Sequence, residues 1–74
     1  MAPKIPQLKP KDVSKSLEKL GFVHTRTRGS HYRMKGPNGE MVTIPIHNRP
    51  IFIGTLKSIL SQANISIDQL LKNL

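Results

Sequence analysis

Cysteine and tryptophan are absent from this chain of 74 residues, and only four of its residues are acidic. Without cysteine the protein can form neither a disulfide framework nor a thiolate metal site, and we expect it to work in the reducing cytoplasm. Its four carboxylates and three histidines are scattered and form no His-x-x-His or Asp-x-Asp cluster of the kind that zinc or magnesium sites use. We therefore expect no metal and no cofactor.

Long apolar runs are also missing. No stretch approaches the ~20 apolar residues that a membrane span needs, and residues 1–10 lack the apolar region of a signal peptide, so we expect no membrane association.

The chain has an excess of positive charge: twelve Lys and Arg against four Asp and Glu give a formal net charge of +8. This surplus favours a polyanionic partner such as nucleic acid.

The proline-containing N-terminus has no hydrophobic period, which predicts an extended arm over residues 1–9. Residues 10–74 have room for a single domain with one modest core. A second irregular segment, residues 48–53, is predicted to be a loop. The apolar residues of arm and loop that we expect to dock on the core are Ile5, Leu8, Ile51 and one of Phe52 and Ile53.

Three segments carry helical signals. Apolar residues at helical spacing predict a first helix over residues 10–20, with Gly21 as its left-handed cap, and a second over residues 54–63, with Asn64 in the same role. The sequence Ser66-x-x-Gln69 is typical of a capping box and predicts a short third helix. Its expected apolar contacts are Ile67, Leu70, Leu71 and Leu74.

Between the first two helices, three segments alternate as strands do: residues 22–27, 31–35 and 40–46. Gly29-Ser30 interrupts the first two, and Gly36-Pro37-Asn38-Gly39 is a strong turn signal before the third. The pattern predicts an α+β domain in the order α-β-β-β-α with a short C-terminal helix, in which helices cover one face of a three-stranded antiparallel sheet. On the first strand it puts Val23, Thr25 and Thr27 on one face and His24, Arg26 and Arg28 on the other.

The uncovered face of this sheet is predicted to be basic. No acidic residue occurs between Lys19 and Glu40, whereas a solvated sheet face ordinarily mixes charges of both signs. This asymmetry favours a phosphate-binding surface. Its expected nucleic-acid-binding residues are Arg26, Arg28, Gly29, Ser30, Arg33 and Lys35.

His31 lies within this basic stretch, directly after Gly29-Ser30. Histidine is the side chain that ordinarily exchanges protons near neutral pH, and flanking arginines attract phosphate, so the stretch indicates chemistry on a nucleic-acid backbone. From the residues alone, a polar surface histidine is an equal alternative. Ser30 fits a turn residue better than a nucleophile, because no Ser-His-Asp constellation can be placed. His47 and His24 are candidates for a second acid or base.

Several motifs occur together at fitting spacing. They are Leu20-Gly21-Phe22-Val23, Arg28-Gly29-Ser30-His31, Pro37-Asn38-Gly39, Val42-Thr43-Ile44-Pro45 with His47, and Gly54-Thr55-Leu56-Lys57-Ser58-Ile59-Leu60 with Ala63. In this combination the sequence resembles the HicA (YcfA-like) toxins of bacterial and archaeal toxin–antitoxin modules. It departs from the family's common pattern at Tyr32, where a second histidine is frequent, and at Gly36, where histidine or asparagine is frequent.

The resemblance implies a double-stranded-RNA-binding-domain-like fold and a metal-independent endoribonuclease that cleaves mRNA. It also implies that His31, the histidine of Gly-Ser-His, is the catalytic residue, and that a cognate HicB-like antitoxin neutralises the protein. Two other interpretations remain open at this point. One is a double-stranded-RNA-type binding module without catalysis, and the other is a protein whose basic surface serves only to dock an acidic partner.

Overall fold

Three helices and three strands follow one another in the predicted order. The structure, a computed structural model, describes residues 7–74. The elements are α1 (Pro10–Lys19), β1 (Val23–Arg28), β2 (His31–Lys35), β3 (Met41–Pro45), α2 (Ile53–Ala63) and α3 (Ile67–Lys72). None of the helices within residues 7–74 has the length and hydrophobicity of a membrane span.

Local sequence signals set both ends of α1. At its start, the Lys9 backbone N–H donates to Asp12 Oδ2 at 3.0 Å, and Pro10 occupies a position where no N–H is needed. At its end, Gly21 adopts a φ of +98°, and the Phe22 N–H donates to the Leu17 carbonyl at 2.9 Å. This is the Schellman arrangement, which satisfies carbonyls that the helix leaves free. The predicted helix over residues 10–20 is confirmed to within one residue.

The strands form one antiparallel sheet in the order β1-β2-β3. Gly29 and Ser30 alone join β1 to β2, and Gly29 has a φ of +59°, the sign that a type II′ hairpin turn requires at its first central residue. Gly39, with a φ of +88°, closes the turn between β2 and β3. Both predicted turns are therefore confirmed.

One face of the sheet and the three helices share a single core. Val13 and Leu17 of α1 and Leu56 and Ile59 of α2 are buried there. Leu20 is only half-buried. The rest of the buried apolar set is Leu8, Phe22, Met34, Val42, Ile44, Ile51, Ala63 and Leu70.

The edge of the sheet at β3 is protected by α2. The Thr43 backbone N–H donates to Gln62 Oε1 at 3.0 Å. Because this N–H is already bonded to a helix side chain, it is not free to pair with an additional strand. β3 ends at Pro45, which has no N–H to donate.

The short helix α3 begins at the predicted capping box. Ser66 Oγ accepts from the Gln69 N–H at 3.1 Å, and Gln69 Oε1 accepts from the Ser66 N–H at 2.9 Å. The buried Ser16 hydroxyl donates to the Leu70 carbonyl at 2.6 Å and ties α3 to α1. Leu74 remains 51% exposed, so the prediction that it packs on the core is wrong.

The arm and the loop before α2 meet through one backbone hydrogen bond, from the Ile51 N–H to the Leu8 carbonyl at 2.7 Å. Leu8 and Ile51 are buried, as expected. Phe52 is 82% exposed and Ile53 50% exposed, so the expectation that one of them points inward is wrong. Ile5 lies outside the described residues.

Gly36 is required by packing. A Cβ atom at this position would lie 2.7 Å and 2.8 Å from two ring carbons of the buried Phe22. Phe22 thus fills the space that a larger residue at position 36 would need. In this chain the glycine accommodates the aromatic ring.

We predict that Gly36→Ala lowers the free energy of unfolding by about 1–3 kcal/mol, because the Phe22 ring must shift within a packed core. Gly54→Ala is the matched control. A Cβ at Gly54 meets nothing within 4 Å, and alanine favours the helix, so we expect a neutral effect or a gain of up to about 1 kcal/mol. Urea unfolding followed by circular dichroism measures both. Equal stability of the two variants would contradict the packing argument.

Candidate nucleic-acid interface

Strand pairing arranges the uncovered side of the sheet in three rows. Residues directly opposite each other on antiparallel strands point to the same face, so the register determines which side chains are neighbours. We call this surface the basic face. Its rows are Arg28, His31 and Pro45; Arg26, Arg33 and Thr43; and Val23, Lys35 and Met41.

His31 lies at the turn end of the basic face, in the first position of β2 and opposite Arg28. Its side chain is exposed. The preceding turn holds it there: Gly29 supplies the positive φ, and the Ser30 carbonyl accepts from the Ile46 N–H at 2.7 Å. A Cβ at Gly29 would meet nothing within 4 Å, so the space above the turn is open to a ligand.

Arg26 and Arg33 are directly opposite each other on neighbouring strands. Like charges in this arrangement destabilise a sheet, and both side chains are exposed. A bound anion between or above the two guanidinium groups would relieve the repulsion. The arrangement is therefore better suited to binding phosphate than to stabilising the fold.

The first strand departs from the predicted alternation. His24 pairs with Met34 and Arg26 pairs with Arg33, so Thr25 is an extra residue in a β-bulge. The Thr25 hydroxyl donates across to the Arg33 carbonyl at 3.3 Å. Because of the bulge, the side chains of Val23 and His24 point to the faces opposite those that strict alternation predicts.

Because of this bulge, two sequence-based expectations are wrong. Val23, 59% exposed, pairs with Lys35 on the basic face instead of facing the helices. His24, expected beside Arg26, lies on the opposite face of the sheet. There its ring stacks on Tyr32, with centroids 4.3 Å apart and planes 20° from parallel, and its Nε2 lies 2.8 Å from the Thr27 hydroxyl. The structure does not bring His24 together with His31.

His47 lies at the same end of the sheet as His31. It comes two residues after Pro45, which pairs with His31, and it is half-buried. The Arg49 backbone N–H donates to His47 Nδ1 at 3.2 Å.

The other predicted site residues occupy the places that the pattern indicated. Arg26, Arg28, Arg33 and Lys35 share the basic face with His31, and Gly29 and Ser30 form the adjoining turn. Thr43 and Met41, which alternation along β3 predicts to face away from Val42 and Ile44, complete two of the rows, although they are not among the predicted site residues. Within residues 7–74, no group of three or more His, Cys, Asp or Glu side chains is arranged to hold a metal ion.

The element order, the antiparallel sheet and the one-sided helices define an α+β domain of the double-stranded-RNA-binding-domain-like type. A family model described as the HicA toxin of bacterial toxin–antitoxin systems matches residues 10–65, from the first residue of α1 to just beyond α2. The chain therefore belongs to the HicA toxin family. It is the toxin of such a system, which implies a cognate antitoxin as its partner. Comparison with curated proteins gives no match.

We predict that Arg33→Thr raises the free energy of unfolding by about 0.2–1 kcal/mol at low ionic strength, because it removes the repulsion from Arg26 and adds a β-branched residue to a strand. The part of the gain due to charge should disappear in 1 M NaCl, where the Debye length is about 3 Å. Lys15→Gln, on the exposed side of α1, is the control. A salt-independent gain would show that charge repulsion is not the cause.

Proposed function

We propose that this toxin is a metal-independent endoribonuclease that cleaves mRNA, and that His31 is its general base. The observation that supports the proposal most directly is the exposed position of His31 on the basic face, opposite Arg28 and on the same face as Arg26 and Arg33. An imidazole that shares an open surface with cationic side chains suits an acid–base reaction on a polyanion.

RNA supplies its own nucleophile, the 2′-hydroxyl group. His31 accepts the 2′-hydroxyl proton while the 2′-oxygen forms a bond to the adjacent phosphorus. The bond from phosphorus to the 5′-oxygen then breaks, and that oxygen takes up a proton. The products are a 2′,3′-cyclic phosphate and a free 5′-hydroxyl group, and no step requires a metal ion.

The arginines stabilise the negative charge that develops on the phosphoryl oxygens. Arg28 is the cation directly opposite His31, and Arg33 follows on the same face of the same strand, at about 7 Å between Cα atoms. Guanidinium groups present several donors in a planar fork that matches phosphate geometry. Together with Lys35, Arg26 and the Gly29-Ser30 turn, they hold the RNA backbone over His31.

The proton for the leaving 5′-oxygen comes from a second group or from water. His47 is the candidate that lies at the His31 end of the sheet, whereas the β-bulge turns His24 to the other face. We therefore propose His47, and not His24, as the residue to test for this role.

A binding module without catalysis is the alternative function, and the same basic face supports it. Phosphate and shape contacts alone are enough for double-stranded RNA recognition. The two functions differ in whether the imidazole of His31 is needed after RNA has bound.

We predict that His31→Ala lowers the rate of RNA cleavage by about 100- to 10,000-fold, the usual contribution of general acid–base catalysis. RNA affinity should change little, because the surrounding cations remain. His24→Ala is the matched control and should retain cleavage, since its ring faces the opposite side of the sheet. A gel-based cleavage assay and fluorescence anisotropy measure the two properties. Unchanged cleavage by His31→Ala would overturn the assignment, and wild-type protein that binds RNA without cleaving it would favour the binding module.

We also predict that cleavage continues in excess EDTA and that the products end in a 2′,3′-cyclic phosphate. Both follow from attack by the 2′-hydroxyl group. Mass spectrometry of a short cleaved RNA identifies the ends, and a substrate with a 2′-deoxy group at the cleavage site should resist cleavage. Strict dependence on added Mg²⁺ would contradict this mechanism.

A further inference from the structure

An apolar groove of about 440 Å³ opens between the loop after β3 and the start of α2. We call it the Phe52 groove. Its walls include Pro50, Phe52 and Ile53, and its floor includes the buried Ile51 and Leu56. The backbone hydrogen bond from Ile51 to Leu8 fixes this floor to the rest of the fold.

The two most exposed apolar residues of the groove are neighbours in sequence. Phe52 is 82% exposed and Ile53 50% exposed, so both side chains leave apolar area in contact with water that a bound partner would bury. Ile46, also exposed, lies along the adjoining smaller groove that shares His47 with the first. Exposed apolar side chains beside a groove make this part of the surface a candidate for binding a partner.

The charges around these grooves are positive. Arg49 lines the Phe52 groove and Lys11 lines the adjoining one, while no acidic residue of the described range 7–74 lines either. The four acidic residues of the chain, Asp12, Glu18, Glu40 and Asp68, all lie elsewhere. A ligand that combines an apolar group with nearby negative charge is complementary to these grooves.

We propose that the Phe52 groove docks a segment of the cognate antitoxin, which inserts an apolar side chain against Phe52 and Ile53 and places a carboxylate beside Arg49. A protein segment fits better than RNA, because the apolar lining beside Phe52 is aliphatic (Pro50, Ile51, Ile53 and Leu56), whereas RNA bases stack on several aromatic faces or bind through hydrogen bonds to their edges. The proposal rests on family membership and does not depend on ribonuclease activity.

The position of the groove explains how docking there would silence the basic face. His47 lines the groove and follows Pro45, the strand partner of His31. A segment anchored beside Phe52 is therefore held at the His31 end of the sheet. The rest of the antitoxin could then cover that end without making its main contacts to the arginines.

The test measures the affinity of the purified cognate antitoxin for the full chain carrying His31→Ala, so that cleavage plays no part. Adding Phe52→Ala or Ile53→Ala should weaken antitoxin binding at least about 10-fold, as expected for an apolar anchor. Leu74→Ala is the matched control, since Leu74 is as exposed as Ile53 but lies at the other end of α1, where its carbonyl accepts from Lys19 Nζ. It should leave the affinity unchanged. Unchanged affinity in both groove variants, or weaker RNA binding instead, would overturn the proposal.

A photoreactive benzoylphenylalanine at position 52 provides a second measurement that does not depend on affinity. A crosslink to the antitoxin, mapped by mass spectrometry to a segment with an apolar residue beside acidic ones, supports the proposal. A crosslink to RNA, to a second copy of the chain or to residues of the same chain would overturn it, as would the absence of any crosslink in the complex.

Discussion

The register between β1 and β2 is the constraint on which the rest of the structure depends. It places Arg28 opposite His31 and Arg26 opposite Arg33. The extra residue Thr25 determines that Val23, and not His24, lies on the same face as these residues. A slip of one residue would send every side chain of a strand to the other face. The two-residue turn at Gly29-Ser30 and the bulge therefore determine the composition of the site as much as the residues that form it.

The two faces of the sheet contribute differently to stability. Met34, Val42 and Ile44 contact the helices and contribute hydrophobic burial, whereas the basic face sets like charges side by side at some cost. Hydrophobic burial on the helix side of the sheet can offset the repulsion between like charges on the other side. The His31 imidazole is thus carried by a strand instead of a loop, and strand pairing fixes its backbone opposite that of Arg28.

Most of the fold could be predicted from local signals. The caps at Gly21, Asn64 and Ser66 and the turns at Gly29 and Gly39 each need a particular residue type for a physical reason, and the helices and strands follow from them. The bulge could not be predicted, because its hydrogen bond joins Thr25 to a residue on another strand and the sequence around it alternates either way. The exposure of Phe52 was missed because three consecutive apolar residues, 51–53, have no period that says which one turns inward.

The two edges of the sheet are unlike, and this limits how the chain can associate with itself. At β3, Gln62 of α2 occupies a backbone N–H that an incoming strand would need. At β1 the edge is uncovered, but it is interrupted by a bulge and carries two arginines, so a second copy approaching in register would bring the same charges against them. The arginines of the basic face therefore also disfavour edge-to-edge association at β1.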